Sequence, residues 1–277
     1  MNRRDLLRPN ILIACAILAT VSLAAVLAPV IATHHPTLDA SLLDAERPPD
    51  RVFLLGSDEQ GRDVFSRIIY GGRVSILIGV TVQAMNSVIG ILLGLSSGYF
   101  GGRWDEAVQG LTNLMMALPT VVFALALMVL MGPGVASLLV ALGTTDWAYS
   151  CRISRAMTLS LKTRAYVRAA EAAGHGPFHV MLRELLPNMT GPLVVVATMG
   201  VGSAIMAEAS LSFLGLGVTP DTPSWGSMLA HAREQLATAP WVAIFPGLAL
   251  FLTVLALNLL GDGLRDLFDP ARRGGRA

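Results

Sequence analysis

The sequence predicts an all-α membrane protein of six transmembrane helices, and three observations predict it. Hydrophobic residues make up 53% of the 277 and charged residues only 14%, with a mean hydropathy of +0.61. A soluble globular chain carries roughly 25% charged residues. Five stretches hold no Asp, Glu, Lys or Arg: 9–38, 74–102, 107–145, 185–207 and 235–261. Each reaches the ~20 residues that a helix needs to cross the hydrocarbon layer. The basic residues, finally, gather in alternate connecting segments, the pattern of a chain threaded back and forth through a membrane.

The first span is read over 10–33, after a short terminus, 1–9, that carries Arg3, Arg4 and Arg8. A cleaved secretory signal has the same charged start, but its apolar core runs only about 7–15 residues, so an uncleaved helix is expected. Segment 34–73 is the longest connection. His34-His35-Pro36 and Pro48-Pro49 mark irregular chain. Val64, Phe65, Ile68 and Ile69 then recur at helical spacing beside Arg62, Asp63 and Arg67, which predicts a short amphipathic helix at the membrane interface. The second span follows over 74–97. The 107–145 stretch is too long for one helix, and Gly132-Pro133-Gly134 divides it into spans at 111–131 and 135–152. A polar loop occupies 153–190, and spans at 191–216 and 240–261 lead to the tail 263–277. Residues 74–262 thus form a five-helix core. With the amino terminus inside, fourteen basic residues fall on inside segments and six on outside ones. That bias places both termini and the 153–190 loop in the cytoplasm.

Small and polar residues within the spans pose separate questions. Gly90, Gly94 and Gly98 stand four apart late in span two and predict the close approach of another helix. Glu208 lies in an otherwise apolar span; such a carboxylate faces a translocation path or forms a structural hydrogen bond. Gln83, Asn86, Asn113 and Asn258 are milder cases, read as links between helices. Asp146, near the inner end of span four and close in sequence to Arg152 and Arg155, is expected to make a local ion pair or an inner-rim water contact.

Several chemistries are excluded by the residues present. A net charge of +1 offers no footprint for nucleic acid. Cys15 and Cys151 both lie in apolar runs and make no disulfide or zinc framework. His175 and His179 are four apart, but Gly176-Pro177 breaks the turn that a helical zinc pair needs, and the metalloprotease Glu is missing. The sole lysine, Lys162, follows Leu161, so the chain has no phosphate-binding Gly-Lys-Ser/Thr motif. No nucleophile–base pairing stands out.

The most informative segment is Arg168–Pro187. It is polar and helix-prone, and Gly174, Gly176 and Pro177 interrupt it. Ala169-Ala170, Gly174 and Leu186-Pro187 match, at the same spacing, the Glu-Ala-Ala…Gly…Leu-Pro loop of ABC importer permeases, which this segment resembles. Arg168 stands where the motif has its leading Glu, with Glu171 one turn on as its substitute. Further stretches resemble the C-type permease of dipeptide and oligopeptide importers: Leu55-Gly-Ser-Asp-Glu-Gln-Gly-Arg-Asp-Val-Phe-Ser-Arg67, Gly72-Arg-Val-Ser75 and Gly98-Tyr-Phe-Gly-Gly102. So do Leu211-Ser-Phe-Leu-Gly-Leu-Gly217, Pro223-Ser-Trp-Gly226 and Gly261-Asp-Gly-Leu-Arg-Asp266.

The resemblance implies a type I ABC importer permease architecture in a bacterial inner membrane, and no catalysis by this chain. It implies a homologous B-type permease sharing the pathway and two P-loop ATPase subunits that hold ATP and Mg, with no cofactor on this chain. An extracytoplasmic binding protein would deliver peptide, and the 168–187 loop would couple to an ATPase. Nickel-chelate and glutathione importers share the architecture and are alternatives. An ion-coupled secondary transporter built on Glu208 is the alternative of another class.

Overall fold

A computed structural model describes residues 9–219 and 221–268. The basic residues at 3, 4, 8, 272, 273 and 276 that entered the orientation argument lie outside the described residues, as do most of the 1–9 terminus and the end of the 263–277 tail. Among the described residues the chain is helical, and the nearest approach to a sheet is one isolated antiparallel bridge, Ser57–Asp63.

The helices, in order, are α1 (Pro9–Val26), α2 (Val64–Phe100), α3 (Gly102–Ala117), α4 (Thr120–Met131) and α5 (Val135–Gly143). They continue with α6 (Trp147–Lys162), α7 (Ala165–Ala172), α8 (Pro177–Phe213), α9 (Trp225–Ala232) and α10 (Trp241–Phe268). By length and composition α1, α2, α8 and α10 can each cross a membrane, and α3 with α4 makes a further candidate bent by 88°.

Three expectations about the spans change. The interfacial helix foreseen after Gly61 is not separate: it is the first part of α2, which runs 37 residues, about 55 Å. Asp63 caps it, accepting from the Ser66 amide at 2.9 Å. Its first turns are buried, Arg67 included, and Val64 packs in a cluster with Met228, Ala232 and Val242. Periodicity alone cannot separate an interfacial helix from the extension of a span. Span three breaks at Leu118-Pro119, where Pro119 lacks an amide and pushes Leu118 to an extended conformation (φ −92°, ψ 130°). Span four also breaks, between Gly143 and Trp147, where Thr144 and Thr145 hydroxyls bond back to the carbonyls of Val140 and Leu142 at 2.7 and 3.0 Å. It resumes as α6 and ends ten residues beyond the expected boundary, at Lys162.

Two of the apolar clusters bear on these regions. Ile78, Val82, Ala124, Met128, Leu138, Leu142 and Leu211 join α2, α4, α5 and α8. Leu95, Val167, Val180, Met181, Leu185 and Met189 seal α7 and the start of α8 against α2.

Candidate functional site

The α7–α8 turn follows from three residue types in sequence. Alanines carry α7 to Ala173. Gly174 then adopts φ +84°, a left-handed conformation that glycine enters at no steric cost. Its amide donates to the Glu171 carbonyl at 3.0 Å and the His175 amide donates to that of Ala170 at 3.2 Å. This pair of bonds is the Schellman closure, which satisfies carbonyls a helix end otherwise leaves open. Pro177, whose missing amide costs nothing in a first turn, starts α8.

The polar loop expected over 153–190 and the span expected at 191–216 are not separate elements. Instead α8 runs unbroken from Pro177 through the membrane segment to Phe213. Pro187 is accommodated inside it by a wide π turn over Val180–Leu185, where the Leu186 amide reaches back five residues to the Met181 carbonyl.

This turn has two faces. Val167, Val180, Met181 and Leu185 are buried against α2 and α6. Arg164, Tyr166, Arg168, Ala169, Phe178, Leu182, Arg183 and Pro187 are exposed, Phe178 by 74%. Ala170 and Leu186 are partly buried between them. Glu171 is exposed but engaged: its Oε1 accepts from the Tyr99 hydroxyl at 3.0 Å. Lys162 donates to the Tyr99 carbonyl and lies over its ring, 5.2 Å from the centroid. Tyr99, which sequence reasoning passed over, ties α2, α6 and α7 together. Its signal was its place in Gly98-Tyr-Phe-Gly-Gly102.

His175 and His179 stack at 4.1 Å. No group of three or more His, Cys, Asp or Glu able to hold a metal ion occurs among the described residues.

Gly90, Gly94 and Gly98 form one face of α2 against α6. A Cβ on Gly90 would stand 2.5 Å from the Trp147 carbonyl oxygen, one on Gly94 2.8 Å from Ser154 Cβ, and one on Gly98 2.9 Å from Thr158 Cβ.

Glu208 lies within α8. It is fully buried, and its carboxylate accepts from Ser212 Oγ at 2.7 Å, Ser224 Oγ at 2.9 Å and Ser75 Oγ at 3.2 Å. Ser75 in turn accepts from the Trp225 amide at 3.2 Å, and Ser224 caps α9. These bonds form a knot joining α2, α8 and α9, the arrangement that the structural-hydrogen-bond reading of Glu208 describes. Arg155 is held by Asp105 at 2.6 Å and Arg152 by Asn113 at 2.9 Å, so of the two contacts expected for Asp146 the ion pair does not form.

Comparison with known sequences places the chain in a family. Residues 90–274 match the model of the binding-protein-dependent transport system inner membrane component. The chain belongs to that family. A di/tripeptide transport system permease protein, DppC of Pseudomonas aeruginosa, is 44% identical over 218 residues, 79% of this chain and 72% of that one. A putative peptide transport system permease protein of Brucella suis is 38% identical over 268 residues, 97% of this chain and 90% of the relative. A glutathione transport system permease protein, GsiD of Pectobacterium atrosepticum, is 42% identical over 222 residues, 80% of this chain and 74% of the relative. This permease is thus a multi-pass membrane subunit of an ABC importer and works with other subunits. It is not an enzyme, and family membership removes the secondary-transporter alternative.

Proposed function

We propose that this permease forms half of the transmembrane pathway for di- or oligopeptides, and that the α7–α8 turn is where a partner ATPase grips it. The observation that carries the coupling reading is the two-faced turn itself. One face is cemented to α2 and α6, while the other presents Tyr166, Arg168, Phe178 and Leu182 to a partner. The peptide reading is supported by the names of its relatives, two of which refer to peptides and one to glutathione. Glutathione is itself a peptide, so it remains the runner-up substrate within one chemistry; nickel chelates have no support among these names.

In this reading both termini and the turn are cytoplasmic. A homologous B-type permease completes the pathway, two P-loop ATPases bind and hydrolyse ATP with Mg, and a binding protein delivers peptide from outside. ATP drives a change only if the turn binds the ATPase differently in the inward- and outward-facing states. A push at Pro177 then travels along one helix to Glu208, 31 residues or about 47 Å away. There the serine knot passes it to α2 and α9.

The test is ATP hydrolysis and peptide uptake by the full complex in lipid vesicles, with and without peptide-loaded binding protein. Stimulated hydrolysis with uptake is expected. In the Gly174→Asp variant, uptake should be lost while the chain stays in the membrane, because a side chain at φ +84° strains the turn and a negative charge meets the negative end of α7. Coupled uptake by that variant would remove the coupling assignment. Stimulation by glutathione and not by other peptides would narrow the substrate.

A further inference from the structure

The two helix breaks that the sequence did not foresee meet at one place. A cavity of about 310 Å³ lies there, lined by Met115, Leu118, Thr120, Thr145, Asp146 and Tyr149 among others. A void of about 20 Å³ adjoins it, and Thr120, Thr145 and Asp146 line both. The depth follows from the packing. The Trp147 carbonyl sits opposite Gly90, ten residues before the α2 end at Phe100. That is about 15 Å along the helix, half of a ~30 Å hydrocarbon layer. Arg103 and Asp105, just past Phe100, mark the polar boundary.

Asp146 is exposed at this depth and has no hydrogen-bonding or ion-pair partner among the described residues. It occupies the position before α6 without capping that helix. The two nearest arginines in sequence are held by Asp105 and Asn113, and neither cavity is lined by Arg, Lys or His. A second polar group is also unsatisfied. Asn86, 2% exposed, donates from Nδ2 to the Leu142 carbonyl at 3.2 Å, but its Oδ1 has no partner, and it lines the same void as Asp146. An unpaired carboxylate inside a membrane is costly and persists where it faces a cavity that water or a cationic ligand can enter. Broken helices at the midplane are where transport proteins expose backbone and side chains to cargo.

We propose that Asp146 and Asn86 form a cargo-binding site in this half of the pathway, with Asp146 receiving the α-ammonium of the peptide and Asn86 Oδ1 accepting one of its N–H groups. A carboxylate with no resident counter-cation selects a positive group and repels a negative one, so the site suits the amino end of a peptide and not its carboxyl end. The assignment deepens the peptide reading above and rests on it.

The test uses the full complex in vesicles with its binding protein, a tripeptide and the same tripeptide acetylated at its amino end. Both are supplied at concentrations that saturate the binding protein, and uptake is counted per ATP hydrolysed, so that delivery and assembly are normalised. For Asp146→Asn, uptake of the free tripeptide should fall roughly tenfold or more, the loss of one charge-assisted hydrogen bond, towards the level of the acetylated form. Asp146→Glu should retain most of it. Unchanged uptake by Asp146→Asn, or equal losses in both variants, would overturn the assignment while leaving the peptide reading intact. A wild-type complex that hydrolyses ATP but imports neither tripeptide would overturn the peptide reading, and this site with it.

Discussion

Glu208 and Gly174 show how much single residues settle in this permease. Glu208 gathers three serine hydroxyls, one from each of Gly72-Arg-Val-Ser75, Leu211-Ser-Phe and Pro223-Ser-Trp-Gly226. Three motifs distant in sequence thus serve one carboxylate. Glu208→Ala would leave those hydroxyls buried without their acceptor, at about 1–3 kcal/mol for each left unpaired. The expected outcome is a marked fall in the thermal midpoint of the detergent-purified chain, with Glu208→Gln less affected because its amide oxygen still accepts. If Glu208→Ala melts as the wild type does, the knot is not structural. Gly174 acts through its backbone alone. Nothing stands within 4 Å of where its Cβ would lie, so space is free and the cost of any side chain, about 1 kcal/mol, comes from φ +84°.

At the level of elements, the contact between α2 and α6 depends on having no side chains on one stripe. With hydrophobic burial unable to drive helices together in lipid, close packing supplies the attraction, and Gly90, Gly94 and Gly98 permit it. Gly94→Leu would press a branched side chain towards Ser154 Cβ, only 2.8 Å from the first atom added. Overpacking of this kind costs typically 1–3 kcal/mol, and here it wedges α6 away along its length. A monodisperse peak in size-exclusion chromatography should give way to aggregate, and an unchanged elution profile would show that the two helices can part without harm. The glycine stripe was legible from the sequence because spacing alone carries it. The breaks at Pro119 and at 144–146 were not, since hydropathy averages over a window and passes over a single proline or a short Thr-Thr-Asp step. Proline in a membrane helix bends or passes according to what surrounds it. Pro192 and Pro246 lie within α8 and α10, whereas Pro119 divides α3 from α4 by an 88° bend.

Across the whole molecule, the turn at 173–176 and the loop at 34–63 lie at opposite ends of α2. In the proposed orientation the first faces the cytoplasm. Phe178 is exposed at that end and well placed to report it. With Cys15 and Cys151 replaced by Ser, a Phe178→Cys chain should react with an impermeant maleimide in inverted membrane vesicles and not in intact spheroplasts. Adding the ATPase subunits should protect it. Labelling from the outside would reverse the orientation, and labelling undiminished by the ATPases would move their contact elsewhere.

Composition and motif spacing by themselves determined the class of this protein, its family, the position of the exposed turn and the stripe of small residues. These are properties of residues taken singly or a few positions apart, and apolarity, spacing and a glycine demand are visible there. What became of each polar group in the membrane was decided only by the tertiary structure. Sequence left Glu208 between a path role and a structural hydrogen bond, and in the fold serines at 75, 212 and 224 donate to it. Sequence also left Asp146 between an ion pair with Arg152 or Arg155 and a water contact, yet Asp105 and Asn113 hold those arginines and leave it facing a cavity. Ser212 is one turn from Glu208 on α8, but Ser75 and Ser224 reach it across the bundle, from segments whose proximity no local pattern encodes.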